Sequence, residues 1–93
     1  MRRWIVSYDV ADNKRRRQLV FVLAKRMHRV QESVFEGLLN IHELRKTLAE
    51  AAEVLDCDDD KLRAYPISER SNQRLLTLGA QPKPQVALEF WIF

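Results

Sequence analysis

The run Trp4-Ile5-Val6-Ser7-Tyr8-Asp9-Val10 constrains this chain more than any other stretch. β-Branched and aromatic residues fill it and polar Asp12 and Asn13 follow it, so it reads as a largely buried strand. Side chains alternate across a strand, which puts Ile5, Ser7 and Asp9 on one face and Trp4, Val6, Tyr8 and Val10 on the other. Asp9 therefore stands at the carboxyl end of a central strand.

The pattern then changes period. Asp12 or Asn13 can cap a helix in which Leu19, Val20, Leu23, Ala24 and Met27 recur at helical spacing to about His28. Arg16 continues that core-facing stripe at the helix N-terminal end, beside the strand end bearing Asp9, with Arg15 and Arg17 flanking it. An arginine on such a stripe needs a partner, either a nearby carboxylate or a bound phosphate.

Val30 to Glu36 is a second strand, and Gly37 permits a kink, bulge or tight turn before Leu38-Leu39, leaving open one bent strand or two. Asn40 followed by Glu43 makes a capping signature for a second helix, in which Ile41, Leu44, Leu48, Ala52 and Leu55 keep the helical period up to the acidic turn Asp56 to Asp60. Leu62 to Ile67 reads as a strand placed at an edge or ended by Pro66, and Leu75 to Leu78 as a further short one closed by Gly79, with a loop between them. A stiff spacer, Gln81-Pro82-Lys83-Pro84, leads to the very apolar Val86 to Phe93, which reads as a terminal strand that has to be covered.

Strand, helix, strand or hairpin, helix and further strands fit an α+β fold, a ferredoxin-like split βαβ plait with helices on one sheet face and extra C-terminal strands. Residues 1–80 are expected to form the domain, and residues 81–93 a spacer and strand at a dimer interface. A domain of 93 residues buries only roughly 60–65% of its unfolded surface, and the plait leaves one sheet face bare. Pairing two copies through those faces would cover it, so a homodimer is expected.

Charge is segregated along the chain although the net value is only +3. Residues 1–30 hold nine Lys or Arg against Asp9 and Asp12, whereas residues 31–60 hold nine acidic groups against Arg45 and Lys46. The basic block suits phosphate neutralisation on nucleic acid, and a solvated helix face is its bland alternative. Lone Cys57 excludes a disulfide within the chain and a cysteine-rich zinc site, which suits a reducing cytosol. No apolar stretch approaches the ~20 residues of a membrane span, so the expected location is cytoplasmic, with no membrane partner. The acidic turn lacks the glycine and terminal glutamate of a calcium loop and reads as solvated. His28 and His42 have no metal-ligand company and read as surface or cap residues, and no histidine has triad-like spacing to Ser33. Ser33 then reads as a strand hydroxyl satisfying a backbone group, and Phe35 as core or interface.

The strand Ile5 to Val10, the basic first helix and the stretch Arg29-Val30-Gln31-Glu32-Ser33-Val34-Phe35-Glu36-Gly37 together resemble the CRISPR-associated Cas-two family. The run from Gln31 to Glu36 carries most of the likeness, and Arg63 to Ile67 and Leu75 to Gly79 extend it over the chain. The resemblance implies a ferredoxin-like homodimer used in spacer acquisition, where it bridges subunits of the CRISPR integrase. It also implies a metal-dependent endonuclease using Mg²⁺, or another divalent ion such as Mn²⁺, on single-stranded RNA or duplex DNA.

Carried over residue by residue, the family aspartate falls on Asp9, as catalytic residue and metal ligand. The phosphate-binding arginines fall on Arg16 and Arg29, with Arg15 and Arg17 as neighbours in the run Lys14-Arg15-Arg16-Arg17, and Tyr8, Ser33 and Phe35 take supporting positions. One carboxylate is a feeble Mg²⁺ ligand, and two copies of Asp9 could share the ion if the twofold axis passes near the strand end. Asp9 as a turn residue or the ion-pair partner of Arg16 is the structural alternative. Two other functional readings use the same residues: a non-catalytic adaptor that clamps DNA within the integrase complex, and a stand-alone toxin-like ribonuclease.

Overall fold

A computed structural model describes residues 1–80 of the chain. Its elements run β1 (Arg2–Asp9), α1 (Asn13–Leu23), β2 (His28–Gln31), β3 (Val34–Leu39), α2 (Ile41–Val54), β4 (Lys61–Ile67) and a short α3 (Glu69–Gln73). The strands form one sheet in the order β2-β3-β1-β4, and each neighbouring pair is antiparallel. This is the plait expected from the alternation of periods.

The face of β1 carrying Val6 and Tyr8 packs against the helices. These two side chains join Phe35 and Leu39 of β3, Leu19 and Leu23 of α1, and Leu44 and Ala51 of α2 in one buried cluster. Arg3, Ile5, Ser7 and Asp9 project by strand alternation from the opposite face, which is helix-free except where α3 borders its Arg3 end. A tyrosine inside the cluster needs a hydrogen-bond partner, and the Tyr8 hydroxyl donates to the Glu32 carbonyl at 2.9 Å.

Both helix starts follow the capping chemistry of the sequence. The Asp12 carboxylate accepts from the Arg15 N–H at 2.9 Å. At α2, Asn40 and Glu43 form a reciprocal capping box, with the Glu43 N–H donating to Asn40 Oδ1 at 2.8 Å and the Asn40 N–H donating to Glu43 Oε1 at 3.0 Å.

Four expectations need correction. Helix α1 stops at Leu23 rather than near His28. Met27 stays buried after the chain has left the helix, so the apolar spacing outlasts the helical backbone that it predicts. Arg26 fastens this turn to α2, its guanidinium donating to Thr47 Oγ1 at 3.2 Å and Glu50 Oε2 at 3.1 Å. His28 consequently lies in β2 and is buried, not on the surface. Burial pushes its imidazole pKa down, against the opposing pull of the Glu36 carboxylate.

The second strand is two strands, and the reversal lies at Glu32 and Ser33 rather than at Gly37. Gly37 sits inside β3 opposite Trp4, where a Cβ would meet the Arg26 carbonyl oxygen and Met27 Cγ, each at 3.0 Å. Its role is close approach, not a turn. Finally, residues Leu75 to Leu78 form no strand among the described residues. The loop expected before them contains α3, whose N-cap Ser68 accepts from the Ser71 N–H at 3.0 Å. Pro66 lies in β4, which borders the sheet among the described residues and so tolerates the missing N–H. The proposed spacer and terminal strand over residues 81–93 lie outside the described residues.

Candidate functional site

Asp9 ends β1 on the helix-free face, exposed, and opposite Lys61 of β4. The same register sets Ser7 opposite Arg63 and Ile5 opposite Tyr65. Ser7, Tyr8, Asp9, Lys61, Leu62, Arg63 and Tyr65 line a shallow depression at this end of the sheet. Although Lys61 is its cross-strand neighbour, Asp9 forms no ion pair among the described residues.

Arg16 is not the partner of Asp9. Its guanidinium donates to the Val10 carbonyl at 2.9 Å, the Ala11 carbonyl at 3.3 Å and the Asn13 side-chain oxygen. Sequence reasoning offered a carboxylate or a phosphate, and the structure supplies a third solution, the carbonyls left open where β1 ends. Arg16 thereby ties the β1–α1 connection together.

Arg15 points elsewhere and meets Asp60, with Nε–Oδ2 at 2.8 Å and Nη2–Oδ1 at 3.3 Å. The acidic turn is accordingly more than a solvated loop. Asp60 also accepts from the Asp56 N–H at 2.9 Å, and the Asp56 carboxylate accepts from the Asp58 N–H at 2.9 Å. The Arg15 guanidinium, the Asp56 amide and the Coulomb attraction of Arg15 hold the Asp60 carboxyl below its ordinary value, against desolvation.

Three of the four arginines singled out from the sequence do converge. Arg16, Arg17 and Arg29 line a second depression with Val20 and Glu32, between α1 and the β2–β3 hairpin. Arg17 is exposed and forms no ion pair among the described residues. The Arg29 guanidinium carbon lies 5.5 Å from the Phe35 ring centroid, a cation–π contact that orients an exposed charge over a core aromatic.

Tyr8, Ser33 and Phe35 support the fold beneath that depression. Phe35 is buried, its ring centroid 6.3 Å from that of Tyr8. Ser33 is an exposed turn residue rather than a strand hydroxyl, and its contribution is its carbonyl, which accepts from the Tyr8 N–H at 3.1 Å.

Among the described residues no three His, Cys, Asp or Glu side chains cluster as a metal cage. Among the described residues one protomer thus brings one exposed carboxylate, Asp9, to the helix-free face at this end, too few protein ligands for a dedicated cage and at the lower limit of the one or two carboxylates that hold a water-rich Mg²⁺. No helix among the described residues is long and apolar enough to cross a membrane.

Sequence reasoning passed over Lys61 and Arg63, because only the β1–β4 register places them beside Asp9. It also passed over Phe21, 74% exposed and one helical turn beyond Arg17. Its failure to fit the core stripe was the available signal.

Residues 1–75 match the family model described as CRISPR associated protein Cas2. A CRISPR-associated endoribonuclease Cas2 of Synechocystis is 41% identical over 78 residues, covering 83% of this chain and 84% of the relative. Among solved structures, a hypothetical protein of Thermus thermophilus superposes with a TM-score of 0.78 at 36% identity, covering 90% of this chain and 98% of that one. Streptococcus pyogenes Cas2 does so with a TM-score of 0.73 at 28% identity, covering 83% and 99%. With the family model spanning most of the chain, on a plait of the same fold as solved Cas2, the chain belongs to the CRISPR-associated Cas2 family.

Proposed function

We propose that this protein is a dimeric, divalent-metal-dependent endonuclease of CRISPR spacer acquisition that works alongside the integrase. The observation that carries this reading is Asp9: an exposed carboxylate without an ion pair among the described residues, at the end of the central strand, flanked by cations. A carboxylate kept out of structural pairing beside Lys61 is available for a ligand. The names of the relatives, endoribonucleases and endonucleases, support phosphodiester hydrolysis as the reaction.

Two protomers paired through their helix-free faces would bring two copies of Asp9 to one ion, Mg²⁺ or Mn²⁺. Such an ion, when bound, polarises the phosphate and lowers the pKa of an attacking water. The protein's own contribution is to hold the polyanion. Arg17 and Arg29 offer cations at the second depression, with Arg16 shaping its floor, and Phe21 offers an aromatic face on which an unpaired base can stack.

The test compares purified wild type with Asp9→Asn, with and without Mg²⁺, on single-stranded RNA and duplex DNA. Loss of cleavage with unchanged stability and oligomeric state is expected, because Asp9 is exposed and forms no ion pair among the described residues. Equal cleavage by the two proteins would overturn the proposal.

One observation favours a second reading, the adaptor. The arginine depression and the Asp9 depression share no lining residue, so nucleic acid can be clamped without engaging Asp9. On that reading Asp9→Asn binds duplex DNA as wild type does, neutralising Arg17 and Arg29 weakens binding, and no preparation cleaves.

A further inference from the structure

The helix-free face is divided by charge. At one end Arg3 and Glu36 form an ion pair at 3.2 Å with His28 4.0 Å from the same carboxylate oxygen, all nearly buried. Ile5, Leu38 and Ile67 lie in the same rows of the sheet. That end is compensated and largely apolar.

At the other end, strand alternation and the β1–β4 register bring Asp9, Lys61 and Arg63 to one depression. Neither Lys61 nor Arg63 forms an ion pair among the described residues. The tyrosine hydroxyl next along β4, that of Tyr65, is the group that touches Arg63 and raises its pKa. Two cations against one carboxylate leave one positive charge per protomer, enough to attract a phosphodiester anion while Asp9 stays free for other chemistry.

On β4, which borders the sheet among the described residues, lysine also guards against edge pairing. That role asks only for charge along the strand, yet on this face of β4 the charge is confined to the two residues beside Asp9, and Tyr65 and Ile67 follow. We infer that Lys61 and Arg63 are phosphate-positioning residues that hold the nucleic-acid backbone against Asp9, a site distinct from the arginine depression on the helical side. The inference rests on the nuclease reading for its purpose, though phosphate binding itself stands apart from catalysis.

The test uses the full chain with Lys61→Gln/Arg63→Gln, Lys61→Arg/Arg63→Lys and Arg17→Gln, each checked for oligomeric state by sedimentation. Binding of a short single-stranded RNA is measured over a range of salt, and cleavage with Mg²⁺ in parallel. The glutamine pair is expected to lose roughly tenfold or more in affinity and to flatten the log-affinity versus log-salt slope by about 0.7 for each cation removed. It is also expected to raise KM more than it lowers kcat, and the charge-conserving pair to restore both.

Unchanged affinity and slope in a native oligomer would overturn the inference. So would loss of the oligomer, which would make the two residues an interface pair. If wild type binds RNA but cleaves nothing, the nuclease reading fails while the binding arm still decides whether Lys61 and Arg63 hold phosphate.

Discussion

Arg15 and Asp60, 45 positions apart, meet through two nitrogen–oxygen contacts of 2.8 and 3.3 Å, and the Asp60 side chain is 1% exposed. The pair joins the first turn of α1 to the loop that feeds β4, so one contact positions both segments beside Asp9. It also removes Arg15 from the group of arginines free to meet phosphate.

Asp60→Asn should lower the melting temperature at neutral pH, and the gap from wild type should depend on acidity. The folded carboxyl titrates below its unfolded value, so its contribution is fully present above the ordinary aspartate pKa of about 3.9 and is lost as pH falls through the lowered value. Thermal melts of both proteins from neutral to strongly acid pH should therefore converge at the acid end. A gap independent of pH would show that the charge of Asp60 contributes nothing.

Arg16 and Arg17 are adjacent yet should respond differently. Arg16 satisfies two backbone carbonyls, so Arg16→Ala should cost about 1.5–3 kcal/mol in urea unfolding, the scale of hydrogen bonds from a charged donor. Arg17→Ala removes an exposed charge and should leave stability within about 0.5 kcal/mol of wild type. Nucleic-acid binding, titrated against salt, should weaken for Arg17→Ala.

Gly37→Ala tests the approach of β3 to the turn after α1. The new methyl would lie 3.0 Å from the Arg26 carbonyl oxygen, which is backbone and can move only with the turn. A loss of about 1–3 kcal/mol is expected from equilibrium unfolding, as for other overpacked sites. A neutral result would mean that the turn yields freely.

Tyr8→Phe keeps the ring against Phe35 and removes only the hydroxyl donated to the Glu32 carbonyl. Unfolding should reveal a loss of about 1 kcal/mol. Nuclease rate should hold nearly constant, because the hydroxyl points at backbone. A large rate loss with unchanged stability would instead place the Tyr8 hydroxyl in the chemistry.

Local chemistry made much of the fold legible. The Asn40–Glu43 capping box, the strand ending at Asp9 and the edge position that is one of the two readings of Pro66 all depend on neighbours in sequence, and each appears among the described residues. The end of α1 did not follow the same rule, because Met27 buries itself from a turn and so mimics another helical position. Likewise Gly37 signals a special backbone position, but not whether a turn or a close neighbour demands it.

Sequence alone determined the alternation of strand and helix from β1 to β4, the face of β1 that carries Asp9 and the family motif from Gln31 to Glu36, since alternation, capping and hydrophobic period are local. Tertiary structure decided what each charge meets. Arg15 found Asp60, Arg16 found the Val10 carbonyl, and Asp9 was left beside Lys61 and Arg63 without pairing to either. Those outcomes depend on the β1–β4 register and on how the acidic turn folds back onto α1, and distances between segments so far apart in sequence exist only once the sheet has formed.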